Sequence, residues 1–364
     1  MSKQHAVITG LAVRVPGTAV TQEFAAQFAA SLSAQSTRQN KVISEIYRRS
    51  GVASRNSTLV RRDSGPDGEF FSKGEGCGPS TAERMQRYKL DAPALAIATA
   101  QDALFNAHVE AAQITHLITV SCTGFSAPGF DVDLILNLPL PSTVQRTHVG
   151  FMGCHGALNA LRIARSLVAA DPSNRVLVCC VELCTLHFQY AYDANNVVAN
   201  SLFADGAAAV VIESGSRHIS ANPIGCLAAT HSIILPDSRE LMTWTVGDHG
   251  FQMTLSRSVP ELVRQSLPAV VNPWLAAHQL TVQDIRGWAI HPGGPRIVDA
   301  VTTSLKLDDK QSEPSRTALS HHGNMSSPTV LFILDALRQR SEGHLPCVIM
   351  AFGPGLTIEL TLLT

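Results

Sequence analysis

The chain has 364 residues, of which 45% are hydrophobic and 16% are charged, so it is long and apolar enough for one large domain or two fused ones. A net charge of -1 argues against a polyanion such as nucleic acid as its main partner. No uninterrupted apolar run reaches the roughly 18 residues of a membrane-spanning helix, and the N-terminus lacks the cleavage site of a signal peptide. The sequence therefore predicts a cytosolic protein.

Short apolar runs alternate with helical patterns along the chain. Runs rich in β-branched residues predict strands that are covered on both faces, and alanine and leucine at helical spacing predict the helices between them. In chain order, the predicted strands are 6–15, 116–121, 175–180, 207–213, 286–290, 347–351 and 356–363, and the predicted helices are 92–108, 157–170 and 329–338. The polar segment 31–80 predicts an irregular surface excursion with short helices.

The order of these elements occurs twice. A βαβ…β arrangement followed by a second one indicates an α/β protein of two related halves, which we place at residues 1–214 and 215–364. The junction is expected near 214–220.

The eight cysteines include no C-x-x-C pair, which argues against a zinc ribbon or a thioredoxin-type redox site. In a reducing compartment they are expected to be free thiols, packed as small apolar residues. Cys154 differs, because it stands between glycines in GFMGCHG (150–156) at the start of a predicted helix. A helix N-terminus favours a thiolate and offers amide donors to an oxyanion. The alternative is a glycine-rich cap with a buried cysteine.

Two further segments carry residues suited to acyl chemistry. His291 follows a predicted strand in WAIHPGGP (288–295), where α/β proteins build their sites, although it could instead cap that strand. Asn324 lies in SHHGNMSSP (320–328), and its amide could donate to an enolate or thioester oxygen or cap the next helix. Taken alone, these residues indicate only that thiol acyl transfer is possible.

Read in order, these segments resemble the chalcone synthase or type III polyketide synthase family, and SCTGF (121–125) and WTVGDHGF (244–251) resemble its bacterial members. The matches are GCHGALNALR around Cys154, IHPGGPR around His291 and GNMSSPTVLFIL around Asn324, with LFADGAAAV at 202–210 and AFGPGLTIE at 351–359. The resemblance covers most of the chain from about residue 115.

The resemblance implies a thiolase fold of five layers, αβαβα, normally in an intimate homodimer. Cys154 would be the nucleophile, His291 its partner and Asn324 a second donor. The substrates would be an acyl-CoA starter and malonyl-CoA, extended by iterative Claisen condensation and cyclised to a pyrone or phenolic ring. No metal and no cofactor is implied.

The resemblance also implies a substrate cavity. Phe203 falls at the position of an aromatic gatekeeper between the CoA tunnel and the cavity, and Ala127 falls where a neighbouring subunit often completes the wall. The expected lining residues are Cys122, Thr123, Cys184, His187, Trp244 and Met253. Cys122 could be a second reactive thiol or an ordinary lining residue.

Cations are expected at the mouth of the CoA tunnel. Arg49 and Arg55, with Lys41 and Arg48 nearby, lie where the family carries basic residues for the CoA phosphates. A solvated charged face is the alternative.

Two other functions remain open at this point. A ketoacyl-acyl-carrier-protein synthase III-like enzyme shares the three catalytic residue types and condenses once. A non-catalytic acyl-CoA-binding homologue would not decarboxylate malonyl-CoA.

Overall fold

The computed structural model describes residues 5–61, 65–72, 76–216 and 223–364. Its strands are β1 (Ala6–Arg14), β2 (Ala19–Thr21), β3 (Ser54–Asn56), β4 (Val60–Arg61), β5 (Gly65–Pro66), β6 (His116–Ser121), β7 (Gln145–Gly150), β8 (Val176–Leu183), β9 (Asp205–Ser214), β10 (Gly225–Ile234), β11 (Met242–Gly247), β12 (Gly250–Leu255), β13 (Gly287–Ile290), β14 (Cys347–Gly353) and β15 (Thr357–Leu363).

The helices are α1 (Gln22–Ser33), α2 (Thr37–Arg48), α3 (Gly68–Ser72), α4 (Thr81–Ala107), α5 (Phe130–Asn137), α6 (Gly156–Ala170), α7 (Ala194–Leu202), α8 (Val259–Ala276), α9 (Pro295–Leu305), α10 (Asp309–His322) and α11 (Thr329–Arg338). None of the helices in the described ranges combines the length and the apolarity needed to cross a lipid bilayer.

Within the described residues, nine strands form one mixed sheet in the order β13-β14-β15-β10-β1-β9-β8-β6-β7. Its two halves meet where β1 and β10 pair over only two positions, Val7 with Cys226 and Ile8 with Gly225. One half contains the strands before residue 215 and the other those after it. The division at 214/215 remains a prediction, because 217–222 lie outside the described residues.

Five layers follow from how the strands distribute their side chains. Val176, Val178 and Cys180 of β8 belong to a central core that α6 and α11 fill between the two half-sheets. Leu177 and Cys179 face the opposite way, into a core closed by α4 and α5. The second half-sheet packs its outer face on α8 and α9. This alternation buries both faces, explains the uninterrupted apolar runs in the sequence, and matches the predicted αβαβα order.

The polar segment 31–80 is more regular than predicted. Within its described part, α2 spans twelve residues and is capped at its N-terminus by Ser36, whose hydroxyl accepts from the N–H of Gln39. Ile43 and Tyr47 are buried by this helix. The sequence pattern did not predict α2 because most residues of this helix are polar and only two are buried. Residues 62–64 and 73–75 of the predicted excursion lie outside the described residues.

Candidate active site

Cys154 lies in a single 3-10 turn, Gly153–His155, directly before α6. Gly153 has φ +68°, and a Cβ there would come within 2.6 Å of the Pro354 ring. Only glycine therefore permits the turn that brings Cys154 to the cavity wall. The thiol is buried, with 7% of the residue exposed.

Burial opposes ionisation of this thiol in the free enzyme. It raises the pKa of Cys154 to about 11, although side-chain hydrogen bonds from Ser326 and Asn324 lower it. The helix start alone predicted a thiolate, and desolvation outweighs that effect here. Cys154 therefore needs a base at the moment it attacks.

His291 follows β13, and its main-chain N–H donates to Met350 O at 2.8 Å. The residue is 1% exposed, and within the described residues neither ring nitrogen has a hydrogen-bond partner. Burial, and then the charge of His155, lower the pKa of His291 to about 3. The ring is thus neutral, with one N–H donor and one unprotonated nitrogen that can accept a proton or hydrogen bond from a bound molecule.

Asn324 is fixed through both its main chain and its side chain. Its N–H donates to Leu202 O at 2.8 Å, and its C=O accepts from the N–H of Ala204 at 2.9 Å. The side-chain Oδ1 accepts from the N–H of Ser326 at 2.8 Å. With Oδ1 occupied, Nδ2 is the part of the amide that remains to donate, and it lies against the sulfur of Cys154.

The three residues come from distant segments and line one void, which measures about 480 Å³ together with the open space at its mouth. Phe203 and Met253 also line this void, and they line a second one of about 330 Å³ on the other side of Cys154. Cys154 faces both spaces. This arrangement provides a thiol, a neutral imidazole and an amide donor in a pocket lined mostly by apolar side chains.

Most of the predicted lining residues surround the second void. They are Cys122, Thr123, Cys184, Phe203, Trp244 and Met253, joined by Met242, Ser326 and Pro354, which the sequence interpretation missed. Ser326 lies in the GNMSS motif that the sequence analysis quoted, but the motif alone did not indicate a role for it. Its hydroxyl is 3.3 Å from the sulfur of Cys122, whose pKa burial and then Glu182 raise well above its ordinary value.

His187 lies behind this wall. Its ring stacks on Phe251 at 4.1 Å between centroids, and its Nδ1 accepts from the N–H of Phe251 at 3.0 Å. Its Nε2 donates to Thr123 O at 2.6 Å. Both nitrogens are occupied, and burial lowers the pKa of His187 to about 3, so the ring supports the wall as a neutral group.

The cations predicted for the CoA phosphates divide into two groups. Arg49 is exposed at the end of α2, where it pairs with Glu45. Arg55 is 4% exposed, and its guanidinium donates to the carbonyl oxygens of Asn200, Ser201 and Phe203 at 2.7–2.8 Å. Through these bonds Arg55 anchors the segment that carries Phe203.

A buried carboxylate, which the sequence analysis did not predict, supports the loop under the cavity. Glu182, at the end of β8, is fully buried. It accepts from the N–H of Cys122 at 2.9 Å, from Thr123 Oγ1 at 2.6 Å and from Ser327 Oγ at 2.7 Å. The carboxylate thereby ties β6 to the Asn324 segment.

Replacing this carboxylate should destabilise the fold. We expect Glu182→Leu to lower the free energy of unfolding by about 1–3 kcal/mol for each buried donor left unpaired. Urea denaturation measures the loss. Thr123→Val, which removes one of the donors, should lower the free energy of unfolding by less than Glu182→Leu does. A loss for Glu182→Leu that is equal to or smaller than the loss for Thr123→Val would contradict the supporting role of the carboxylate.

The comparisons with known proteins agree with this geometry. A family model described as the N-terminal domain of chalcone and stilbene synthases matches residues 1–216, and one described as their C-terminal domain matches 226–364. The chain is 33% identical over 359 residues to "Alpha-pyrone synthesis polyketide synthase-like Pks18" of Mycobacterium tuberculosis, covering 97% of this chain and 90% of that protein.

Two further matches come from different organisms. The chain is 35% identical over 272 residues to 1,3,6,8-tetrahydroxynaphthalene synthase of Streptomyces peucetius, covering 74% of this chain and 72% of that one. The crystal structure of the C-terminal type III polyketide synthase domain of Steely1 from Dictyostelium superimposes with a TM-score of 0.92 at 28% identity, covering 99% of both chains. The matches favour this function over the ketoacyl synthase III-like and non-catalytic alternatives. The chain therefore belongs to the chalcone and stilbene synthase family, with the thiolase-like fold, and is a type III polyketide synthase, a condensing acyltransferase.

Proposed function

We propose that Cys154 carries the growing chain while His291 and Asn324 drive the decarboxylation of malonyl-CoA. The observation that supports this proposal most is the convergence of the three side chains on one buried void. The substrates are an acyl-CoA starter and malonyl-CoA, and no cofactor beyond these thioesters takes part. All eight cysteines lie in the described ranges as free thiols, which supports a reducing, cytosolic location.

Loading begins when the Cys154 sulfur attacks the thioester carbonyl of the starter. The bare nitrogen of His291 takes the thiol proton as the C–S bond forms, which compensates for the raised pKa of Cys154. The proton then passes to the departing CoA sulfur. The acyl group stays on Cys154, and His291 returns to its neutral form.

Extension uses the same imidazole as a donor. The N–H of His291 and the Nδ2 of Asn324 bind the thioester oxygen of malonyl-CoA, where negative charge develops as CO₂ leaves. The enolate carbon attacks the acyl-Cys154 carbonyl, forming a C–C bond and expelling the Cys154 thiolate. That thiolate takes the lengthened chain from CoA, and the cycle repeats until the chain cyclises.

The second void is proposed to hold the acyl chain, and Phe203 and Met253 to separate it from the CoA arm. Arg49 is proposed at the CoA entrance, with Lys41, which lies in a surface groove of α2 beside Arg38. Arg55 is left out of this proposal because it is buried and its Nη atoms donate to carbonyl oxygens and to Gln22 Oε1.

We also propose a homodimer that uses the exposed edge of the sheet at β7. Unusually exposed apolar side chains stand beside this edge: Phe125 at 62%, Leu136 at 77% and Phe151 at 40%. Such a patch is typical of an interface. Ala127 is exposed in the same loop, where the family resemblance places the contact with the neighbouring cavity.

The proposed reaction is tested with purified protein, malonyl-CoA and acyl-CoA starters from acetyl to stearoyl, with products identified by mass spectrometry. Pyrones or resorcinols extended by two or more malonyl units are expected. A protein that consumes no malonyl-CoA with any starter would contradict the proposal.

Decarboxylation should be insensitive to mild acid. Because the pKa of His291 lies at about 3, its ring is protonated only as the pH falls toward that value. We expect the rate of acetyl-CoA formation from malonyl-CoA by Cys154→Ala protein to stay level between about pH 5 and 8. A change of rate in either direction with a midpoint of about 6–7, in protein shown by circular dichroism to be folded, would mean that the His291 ring titrates normally.

A further inference from the structure

His155, the residue after Cys154, is buried and takes no part in the reaction steps proposed above. It is 2% exposed, and it is not among the described residues that line the two voids. A bound substrate therefore does not touch its ring, and any effect of His155 on the reaction must pass through its neighbours.

A chain of hydrogen bonds fixes the His155 ring. Asn159 Nδ2 donates to Glu359 Oε1 at 2.9 Å, and Arg162 donates to the other oxygen of this carboxylate at 2.7 Å. Asn159 Oδ1 is thus the atom left to accept from His155, whose Nδ1 lies 2.7 Å away. Burial lowers the pKa of His155, so its ring is neutral and Nδ1 carries the proton. The chain therefore sets both the tautomer and the orientation of the ring.

The His155 ring also packs the Cys154 turn against the end of β14. A Cβ at Gly353 would lie 2.2 Å from Cδ2 of His155, so the ring rests directly on this glycine. On the other side of Cys154, a Cβ at Gly153 would lie 2.6 Å from the Pro354 ring. The two residues that flank Cys154 are thus both in contact with residues 353–354.

The same strand holds the base that Cys154 needs. Met350 of β14 accepts the main-chain N–H of His291 at 2.8 Å. Cys154 and His291 are therefore placed on one strand, and the contacts of His155 help to hold Cys154 there. Alignment at this point matters, because a displacement of about 1 Å can cost about 10²-fold in rate.

We propose that His155 is a positioning residue for acyl loading, which keeps the Cys154 sulfur within reach of the His291 ring. Its hydrogen bond to Asn159 is the contact that carries this role. The inference rests on the proposed function and adds a residue to its loading step. His155 itself takes up no proton, because the thiol proton passes from Cys154 to His291 as the C–S bond forms.

The test compares two substitutions of equal size. His155→Asn keeps an N–H donor for Asn159 Oδ1, whereas His155→Leu removes it. Acyl transfer from CoA to Cys154 is followed by quenched flow and peptide mass spectrometry, with the starter that the wild type extends best. We expect His155→Leu to lower this loading rate by about tenfold to a hundredfold, and His155→Asn to restore most of it. Asn159→Ala, which removes the acceptor, should reproduce the loss.

The pH dependence of loading separates misplacement from a loss of stability. In the wild type the thiol proton goes to His291, so the loading rate should be level between about pH 6 and 9. A misplaced Cys154 reacts only as a thiolate formed beforehand, and the pKa of this thiol is about 11. The loading rate of His155→Leu should therefore rise by about tenfold for each pH unit over that range.

Decarboxylation of malonyl-CoA is an internal control. His291 and Asn324 keep their own main-chain hydrogen bonds, so adding His155→Leu to Cys154→Ala protein should leave the rate of CO₂ release unchanged.

His344→Leu is the matched control for stability. His344 is also buried, its Nε2 donates to Ile224 O at 2.8 Å, and it is not among the described residues that line the two voids. We expect it to lower the urea midpoint about as much as His155→Leu does, and to leave the loading rate unchanged.

Equal losses of loading in His155→Leu and His155→Asn would overturn the proposal, since the ring itself would then be required. A reduced but level pH profile for His155→Leu, normal loading by Asn159→Ala, or an equal loss of loading in His344→Leu would overturn it as well. A wild type that takes no acyl group onto Cys154 from any starter would instead remove the proposed function.

Discussion

Cys154→Ala should abolish chain extension and leave the decarboxylation of malonyl-CoA in place. The methyl group cannot form the acyl thioester, so the enolate has no electrophile, and we expect extended products to fall by at least about 10³. His291 and Asn324 hold their positions through their own main-chain bonds and still bind the thioester oxygen. Acetyl-CoA should therefore accumulate, as measured by liquid chromatography.

The matched control is Cys77→Ala. Cys77 is exposed and lines neither void, so its removal should change neither product. Extended polyketide from Cys154→Ala protein would show that another thiol carries the chain, with Cys122 the first to examine because it lines the same void.

Asn324→Asp should lower the decarboxylation rate by about 10²–10³, the usual effect of losing one oxyanion donor. The substitution keeps an oxygen to accept from the N–H of Ser326, so the loop retains its conformation. It replaces the Nδ2 donor by a carboxylate oxygen that repels the developing enolate. The rate of CO₂ release from malonyl-CoA measures the effect.

Asn137→Asp makes the same chemical change on an exposed turn of α5 and should leave that rate unchanged. Unfolding in urea should occur at similar concentrations for both variants. A decarboxylation rate within a few fold of the wild type for Asn324→Asp would show that its amide does not bind the reacting oxygen.

The sequence predicts those parts of the fold and site that local pattern determines. The mostly apolar runs of β6, β8 and β14 predict strands that are covered on both faces, and every residue of these strands is buried. The sequence also predicts the turn at Cys154, because a glycine stands at position 153, where the backbone adopts a positive φ. The structure brings Cys154, His291 and Asn324 together as the motifs predicted, and their roles remain predictions.

Features made by distant segments could not be predicted in this way. In the sequence, Glu182 is only the polar residue near the end of an apolar run. In the structure, its hydrogen-bond donors belong to residues 121–123 and 327, which are far from it in the chain. Arg55 looks like a solvated charge, and its burial depends on carbonyl oxygens of residues 200–203. The pKa of Cys154 depends on desolvation by the whole cavity wall, which outweighs the effect of the helix start.

The central claim is that Cys154 carries the acyl chain, and peptide mass spectrometry tests it most directly. Purified enzyme is incubated with dodecanoyl-CoA without malonyl-CoA, quenched in acid and digested. We predict one added acyl group for each chain, on the peptide that contains Cys154, and its release when malonyl-CoA is added before the quench. An acyl group on any other residue, or an unmodified protein that still extends the starter, would contradict the account.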